Sequence, residues 1–171
     1  IPDHHVVYLE ARPKNMEGRG EVSIRDLLRN ALRMRPDRLV IGECRGKETF
    51  DLISAMNTGH EGCLSTVHAN SAADCPERMV GMALMAEEGV PVDILRSWIA
   101  IGVDVVVHME KTQSGHRVVS GVALVGSQPG QGLTNYPVFD PEYGLTLEFP
   151  PWFVEKVGES RCNFLVEGVG P

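Results

Sequence analysis

The apolar positions of the chain follow two spacings, and the change from one to the other predicts its elements. Between Ser23 and Pro36, apolar side chains recur every three or four residues, which is the spacing of an amphipathic helix. Ser23 and Asp26 have the spacing of an N-terminal cap, and Pro36 ends the pattern. The helical spacing returns from Glu48 to Met56, so two helices are predicted in the first third of the chain.

Short apolar runs around these helices predict strands. His5–Leu9 (HVVYL), Arg38–Ile41 (RLVI) and Cys63–Val67 (CLSTV) are too short for helices and contain β-branched residues. We expect the RLVI strand to be covered on both of its faces, as strands in a parallel sheet are.

Two more helices and a hairpin are predicted further along. One helix runs from about Asp74 to Glu87. A second opens at Pro91 and is expected to turn four residues inward: Ile94, Leu95, Trp98 and Ile99. Val103–Met109 and Arg117–Val125 then predict two strands, joined by a turn at Ser114-Gly115.

This order of strands and helices predicts an α/β fold, with a mostly parallel sheet flanked by helices. From Gly126 the chain becomes rich in Gly and Pro. We expect an irregular tail there, with a small β unit and a helical segment from Trp152 to Lys156. The predicted division is therefore 1–125 and 126–171. The aromatic residues of the tail are interpreted as local packing anchors: Tyr136, Phe139, Tyr143, Phe149, Trp152 and Phe153.

Composition narrows the function classes. The 171 residues carry a net charge of -7 and a pI of about 5.3, so the chain as a whole has no basic field to attract nucleic acid or an anionic membrane. No apolar run approaches the roughly 20 residues of a membrane span. Four cysteines without a CxxC pair favour reduced thiols in a cytosol. Because the sequence begins with Ile1, we interpret it as a piece of a longer chain.

Polar residues that could take part in binding or catalysis follow the predicted strands. Ligands of open parallel sheets bind beyond the carboxyl ends of the strands. Glu43 follows the RLVI strand, His68 follows the CLSTV strand, and His60 lies on the loop that leads into the latter. We expect these three to converge. A carboxylate there can hold the hydration shell of Mg²⁺ or orient an attacking water, and an imidazole can donate to a phosphate oxygen.

Three arginines nearby are further candidate phosphate ligands, and simpler interpretations of Glu43 and the histidines remain open. Three arginines offer planar, permanently charged donors for phosphate oxygens: Arg33, Arg35 and Arg45. Glu43 can equally be a solvated loop acid, and each histidine can be structural. A zinc site of His60, Cys63 and His68, serving a metal-dependent hydrolase, is a further alternative, although Cys63 and His68 face opposite sides of a regular strand.

Two segments taken together resemble a known family. LRMRPDRLVIGECRGKET (Leu32–Thr49) and TGHEGCLSTVHANS (Thr58–Ser71) resemble the Walker B segment and the histidine box of the secretion and pilus-assembly ATPases. These are the motors of type II and type IV secretion systems and of type IV pili. The order and spacing match over roughly Val6 to Val107. The segment Leu9–Arg38, with Arg45-Gly46, looks most like the branch that powers Tad/Flp pili and related type IV secretion-like systems.

The resemblance implies a RecA-like P-loop ATPase core that uses ATP and Mg²⁺. It implies that Glu43 is the Walker B glutamate, which acts on Mg²⁺ through water, and that His68 lies near the γ-phosphate. Arg33 and Arg45 would belong to the arginines around the nucleotide, and His60 would support the histidine box. It also implies a hexameric ring in the cytoplasm, peripheral at the inner membrane, with a membrane platform protein as partner and no nucleic acid.

The sequence departs from that family in two respects. The phosphate-binding loop, Gly-x4-Gly-Lys followed by Ser or Thr, is absent, and Gly46-Lys47 is followed by Glu48. The family's acidic box would fall before Ile1. We therefore expect the C-terminal part of a longer motor that pushes pilin or protein across the inner membrane, and we expect this chain alone to be inactive. The alternative is a nonenzymatic scaffold or regulatory subunit that retains the fold.

Overall fold

The computed structural model describes residues 5–128, 130–146, 148–158 and 162. The helices are α1 (Ile24–Leu32), α2 (Glu48–Asn57), α3 (Cys75–Leu84), α4 (Val92–Gly102) and α5 (Pro151–Val157). The strands are β1 (Val40–Cys44), β2 (Leu64–Val67), β3 (Val105–Lys111), β4 (Arg117–Gln128), β5 (Gly132–Asp140) and β6 (Gly144–Leu145).

Helix α1 begins where its cap was predicted. The hydroxyl of Ser23 accepts from the Asp26 N–H, and the Asp26 carboxylate accepts from the Ser23 N–H, so two free donors of the first turn are satisfied. The helix buries Leu28 against a cluster shared with α2 and β1: Leu39, Ile41, Cys44, Leu52 and Ala55. The helices expected at Asp74 and Pro91 are also present, as α3 and α4.

Ion pairs reinforce the contact between α1 and α2. Asp51 of α2 is buried, with 8% of its surface exposed. Its carboxylate accepts from Arg25 Nε and, at 2.7 Å, from Arg29 Nε. Arg25 also pairs with Glu88, which lies between α3 and α4. One buried carboxylate therefore pairs with two cations of the neighbouring helix.

Strands β1 and β2 form a parallel pair, and their register is irregular. Ile41 lies opposite Ser65, but Cys44 lies opposite Val67, so β1 has one residue more than β2 between these pairs. The pair is covered on one face only: Val40 is 71% exposed and Leu64 is 59% exposed. The expected coverage of this strand on both faces is wrong.

The second sheet is antiparallel, in the order β3-β4-β5-β6. The hairpin of β3 and β4 was predicted, but the mostly parallel sheet was not correct, because in the described residues only β1 and β2 pair in parallel. The expected irregular tail is replaced up to Asp140 by the continuation of β4 and by β5. The physical reason is that the turn around Gly130 sends the chain straight back along β4, and a return without a crossover is antiparallel.

Two smaller expectations also fail. Residues 5–9 form no strand, and Tyr8 is 90% exposed, because no described strand lies beside them to pair with. Ile94 is 45% exposed, whereas Leu95 and Ile99 of the same helix are buried. Helix α4 therefore buries a narrower face than its apolar residues suggested.

Helix α5 packs on the antiparallel sheet and confirms the predicted helical segment. Phe153 is buried together with Leu124 and Val138. Three predicted anchors pack around them, namely Tyr136, Phe149 and Trp152. Tyr143, in contrast, is 83% exposed. The predicted division at residue 125 falls within β4.

Lys156 ties α5 to the rest of the fold. Its ammonium donates to the carbonyls of Ala100 (2.9 Å), Val103 (2.5 Å) and Val125 (3.1 Å), and lies 3.1 Å from the Asp104 carboxylate. Burial lowers the pKa of Lys156, and the nearby Asp104 charge opposes this effect. One cation thus contacts the end of α4, the segment that connects α4 to β3, and strand β4.

None of the helices within the described part of the chain is both long and apolar enough to pass through a membrane.

Candidate functional site

Three of the predicted site residues meet at the carboxyl ends of the parallel strands. Glu43 lies near the end of β1, and Arg45 and His68 immediately follow β1 and β2. Arg45 Nη2 lies 2.6 Å from Glu43 Oε2, and His68 Nε2 lies 2.8 Å from Glu43 Oε1. A carboxylate held between a guanidinium and an imidazole therefore occupies the edge where parallel sheets bind ligands.

The irregular register of β1 explains how Glu43 reaches this position. In a regular strand, side chains alternate between faces, so residues three apart point in opposite directions. Ile41 and Cys44 nevertheless both face the core, because the extra residue shifts the alternation by one. Gly42 and Glu43 are the two residues between them, and both are accessible to solvent. The bulge thus keeps the Glu43 carboxylate out of the core.

Side chains of β2 secure the bulged segment. Thr66 Oγ1 donates to the Gly42 carbonyl at 2.7 Å, and Ser65 Oγ donates to Cys44 Sγ at 3.3 Å. These side-chain contacts join the two strands at the register shift, where the regular backbone hydrogen bonding is interrupted. They hold the segment that carries Glu43 from both of its sides.

Glu48 holds the turn that follows β1 and was missed from the sequence. Its Oε1 accepts from the N–H groups of Arg45 (2.6 Å) and Gly46 (2.9 Å) at the start of α2. A glutamate three residues after a turn residue is the spacing of a side chain that reaches back to cap a helix start. That spacing was the signal available in the sequence.

The electrostatics of Glu43 follow from its neighbours. Its pKa is lowered mainly by the hydrogen-bonded pair with Arg45, and the positive charge available on His68 acts in the same direction, whereas partial burial opposes both. Glu43 is therefore a carboxylate at neutral pH. Its Oε1 is screened from solvent and accepts no hydrogen bond among the described residues, because the His68 ring is close but not aligned as a donor.

The structure does not bring the remaining two predicted residues to this site. Arg33 ends α1, on the chain segment that enters β1, and His60 lies on the segment that enters β2. Segments that enter parallel strands lie at the amino ends, on the opposite edge from Glu43. The expected convergence of His60 with Glu43 and His68 is therefore wrong for this chain, because strand direction separates them.

His60 has its own local contacts. Its N–H donates to the Ala55 carbonyl at 3.3 Å, and its carbonyl accepts from Cys63 Sγ at 3.0 Å. Its Nδ1 is buried without a hydrogen-bond partner in the described chain. These contacts stabilise the turn between α2 and β2.

The donor set fits Mg²⁺ bound through water and does not fit zinc. No group of three His, Cys, Asp or Glu side chains within the described ranges is arranged to hold a metal ion. A single, partly exposed carboxylate beside a guanidinium and an imidazole does not make a zinc site. It can accept a hydrogen bond from a water on Mg²⁺, which keeps several waters and takes phosphate oxygens as ligands.

The site is an open edge and not a pocket. A groove of 480 Å³ lies elsewhere and is lined by Glu77, Arg96 and Leu133 among others. It contains none of the predicted site residues. The side chain of His68 is 86% exposed. A ligand at this edge would need further walls beyond those that the described residues supply.

Comparison with known proteins identifies relatives. A family model described as type II/IV secretion system protein matches residues 2–122. A Mycobacterium tuberculosis protein whose name refers to conjugal transfer is 47% identical over 131 residues, 76% of this chain and 37% of that protein. The type IV secretion system protein VirB11 of Brucella abortus is 37% identical over 113 residues, 64% of this chain and 31% of its own length. The chain thus spans about a third of the length of these relatives.

A solved structure is similar as well. The VirB11 ATPase from the Brucella suis type IV secretion system, crystallised with sulphate, aligns with a TM-score of 0.57 and 36% identity over 60% of this chain and 32% of that one. The names of these relatives refer to conjugal transfer and type IV secretion, so they support the wider family expected from the sequence but not its Tad/Flp branch. Since the family model covers residues 2–122, the chain belongs to the type II/IV secretion system protein family.

Proposed function

We propose that the chain forms one part of an ATP-hydrolysing site in a motor for type IV secretion or conjugal transfer. The observation that carries the proposal is the cluster of Glu43, Arg45 and His68 at the carboxyl ends of β1 and β2. The similarity to the VirB11 ATPase supports it. These relatives favour this branch over the Tad/Flp pilus motors.

Each side chain has a distinct role in this proposal. Glu43 offers its partly exposed carboxylate to a water molecule that either belongs to Mg²⁺ or attacks the terminal phosphate. Arg45 binds Oε2 and keeps the carboxylate charged and oriented. His68 is exposed beside Glu43 and can donate to a phosphate oxygen. Mg²⁺, when bound, supplies charge neutralisation between the phosphates.

The phosphate-binding loop is proposed to precede Ile1. That loop supplies backbone N–H groups and a lysine to the phosphates, which are most of the affinity for a nucleotide. A longer chain is also proposed to assemble into a hexameric ring on the cytoplasmic side of the inner membrane, against a platform protein. Arg33 is exposed at the opposite sheet edge, and we propose that it serves the nucleotide of a neighbouring subunit in such a ring.

The test compares this chain with one extended at its amino end to the length of these relatives. Calorimetric titration of the present chain with Mg-ATP should show no micromolar binding, since the phosphate loop is absent. In the extended protein, Glu43→Gln should lower ATP hydrolysis by about a hundredfold or more while assembly measured by mass photometry is unchanged. Glu61→Gln, on an exposed loop, is the matched control.

Two results would contradict the proposal. Unchanged hydrolysis in the Glu43→Gln protein removes Glu43 from the mechanism. An extended protein that assembles but neither binds nor hydrolyses ATP supports the scaffold or regulatory subunit instead.

A further inference from the structure

We propose that His108 is a positioning residue that holds the loop behind His68, through a bridge from Ser120 to the backbone carbonyl of Ala69. The proposal rests on the proposed function of His68 at the sheet edge. Ala69 directly follows His68, so a contact at Ala69 acts one peptide away from the imidazole that would face phosphate.

The bridge spans the two sheets. His108 lies on β3, and 18% of its side chain is exposed. Its Nδ1 lies 2.8 Å from Ser120 Oγ of β4, and its Nε2 lies 3.4 Å from the Ala69 carbonyl oxygen, which follows β2. The antiparallel sheet therefore reaches the parallel pair through this ring.

A second bulge places Ser120 beside the ring. His108 lies opposite Gly121 and Met109 lies opposite Val119, so Ser120 is an extra residue of β4 between these pairs. A bulge re-aims the side chain of its extra residue. Because Ser120 is the extra residue, it has no directly opposite residue on β3. Its hydroxyl lies within hydrogen-bond distance of His108.

The chemistry of the partners fixes the orientation of the neutral ring. The Ala69 carbonyl can only accept, so Nε2 must carry the proton. Nδ1 is then an acceptor, and the Ser120 hydroxyl donates to it. The carboxylate of Glu110 lies 3.9 Å from Nδ1 and is largely exposed, so it contributes little. Both ring nitrogens are engaged, and rotation of the ring would break two contacts.

A second tether holds the other end of the same loop. Asn135 of β5 donates from Nδ2 to the Ala73 carbonyl at 2.8 Å. Between the two tethers, Ser71 Oγ accepts from the Asp74 N–H and so closes the turn before α3. Residues 69–73 are therefore fixed from β3 and from β5. His108 thus engages the loop that directly follows His68.

The first test measures the loop in this chain, without nucleotide. Long-range ¹H–¹⁵N spectra should show the Nε2-protonated tautomer at His108, and Ser120→Ala should weaken that preference. In His108→Phe, the backbone order parameters of residues 69–73 should fall from about 0.85 towards 0.6, as for a loop released from a rigid frame. His116→Phe, at the exposed hairpin end, should leave them unchanged.

The second test separates positioning from general destabilisation. In the extended protein, His108→Phe and Ser120→Ala should lower kcat about tenfold and leave KM for ATP within about twofold, because a misplaced donor affects the transition state more than binding. Ser120→Ala removes one hydroxyl and serves if the phenylalanine variant does not fold.

Unchanged order parameters at residues 69–73 in both variants overturn the proposal, and so does a fall in kcat that His116→Phe reproduces. If the loop loosens but the extended protein has no ATPase activity, the tether stands and the proposed function fails. The two proposals are therefore tested independently.

Discussion

At the scale of single residues, the site depends on how Glu43 shares its two oxygens. Oε2 is engaged by Arg45, and Oε1 faces His68 without an aligned donor. The positions of Glu43 and His68 followed from the sequence, because both come at the end of an apolar strand and parallel strands end at one edge. The placement of Arg33 and His60 was missed, since residues that precede a strand lie at the other edge.

The Arg45 contact makes a prediction about the titration of Glu43. Arg45→Gln should raise the pKa of Glu43 towards its ordinary value of 4.5, because the hydrogen-bonded pair with Arg45 is the main cause of the lowering. The side-chain carboxyl ¹³C shift, followed against pH by NMR, measures it. Arg33→Gln is the matched control, since Arg33 lies at the opposite edge, and an equal shift in both variants would contradict the local pairing.

The same lowering has a consequence for stability against pH. Because the pKa of Glu43 is lower in the folded chain than in the unfolded chain, the ion pair stabilises the fold above the unfolded value. That stabilisation is lost as the pH falls through the lowered pKa of the folded state. Arg45→Gln should therefore flatten the stability profile in this acidic window only.

At the scale of elements, helices were predicted more accurately than strand pairing. The cap of α1 and the apolar spacing of α2 are local properties, so the sequence contains them. Pairing depends on which segments meet, and the small β unit expected beyond Gly126 had neither the bounds nor the partner strand of β5, because Gly and Pro interrupt the apolar clusters there. The bulges next to Glu43 and at Ser120 could not be predicted from the sequence either, since an extra residue is defined only relative to the partner strand.

The buried carboxylate between α1 and α2 makes a prediction about stability. Asp51→Asn should lower the free energy of unfolding by about 2 kcal/mol, because it weakens charge-assisted hydrogen bonds to Arg25 and Arg29. Urea unfolding followed by circular dichroism measures it. Asp93→Asn is the same substitution at an exposed partner of Arg96 and should cause no measurable change. An equal decrease in the free energy of unfolding in both variants would show that the Asp51 ion pairs stabilise the fold no more than an exposed ion pair does.

At the scale of the whole molecule, the segment beyond residue 125 is packed on the fold and not appended to it. The ring of Trp152 lies against Gly126 so closely that a Cβ at this position would collide with it. Phe153 packs against Leu124 of β4 and Val138 of β5. The sequence indicated a helix here, but its packing partner depends on the long β4–β5 hairpin, which the Gly and Pro content concealed.

A substitution by alanine should change the free energy of unfolding in opposite directions at Gly126, which contacts Trp152, and at Gly81, which has open space around it. Gly126→Ala should destabilise the chain by about 2 kcal/mol, since the added methyl meets the indole of Trp152. Gly81→Ala, inside α3 with open space around it, should stabilise the chain by about 1 kcal/mol through helix propensity. Thermal and urea unfolding measure both. A stable Gly126→Ala variant would mean that α5 does not pack on β4 in solution.

The ammonium of Lys156 makes the packing of α5 depend on two other elements. Its three carbonyl acceptors come from Ala100, Val103 and Val125, which are far apart in the sequence and meet only when α4 and the antiparallel sheet have assembled. Burying a cation before its acceptors are in place costs several kcal/mol. Lys156 therefore makes the docking of α5 depend on α4 and on the antiparallel sheet, because without either one the buried ammonium would lose a carbonyl acceptor.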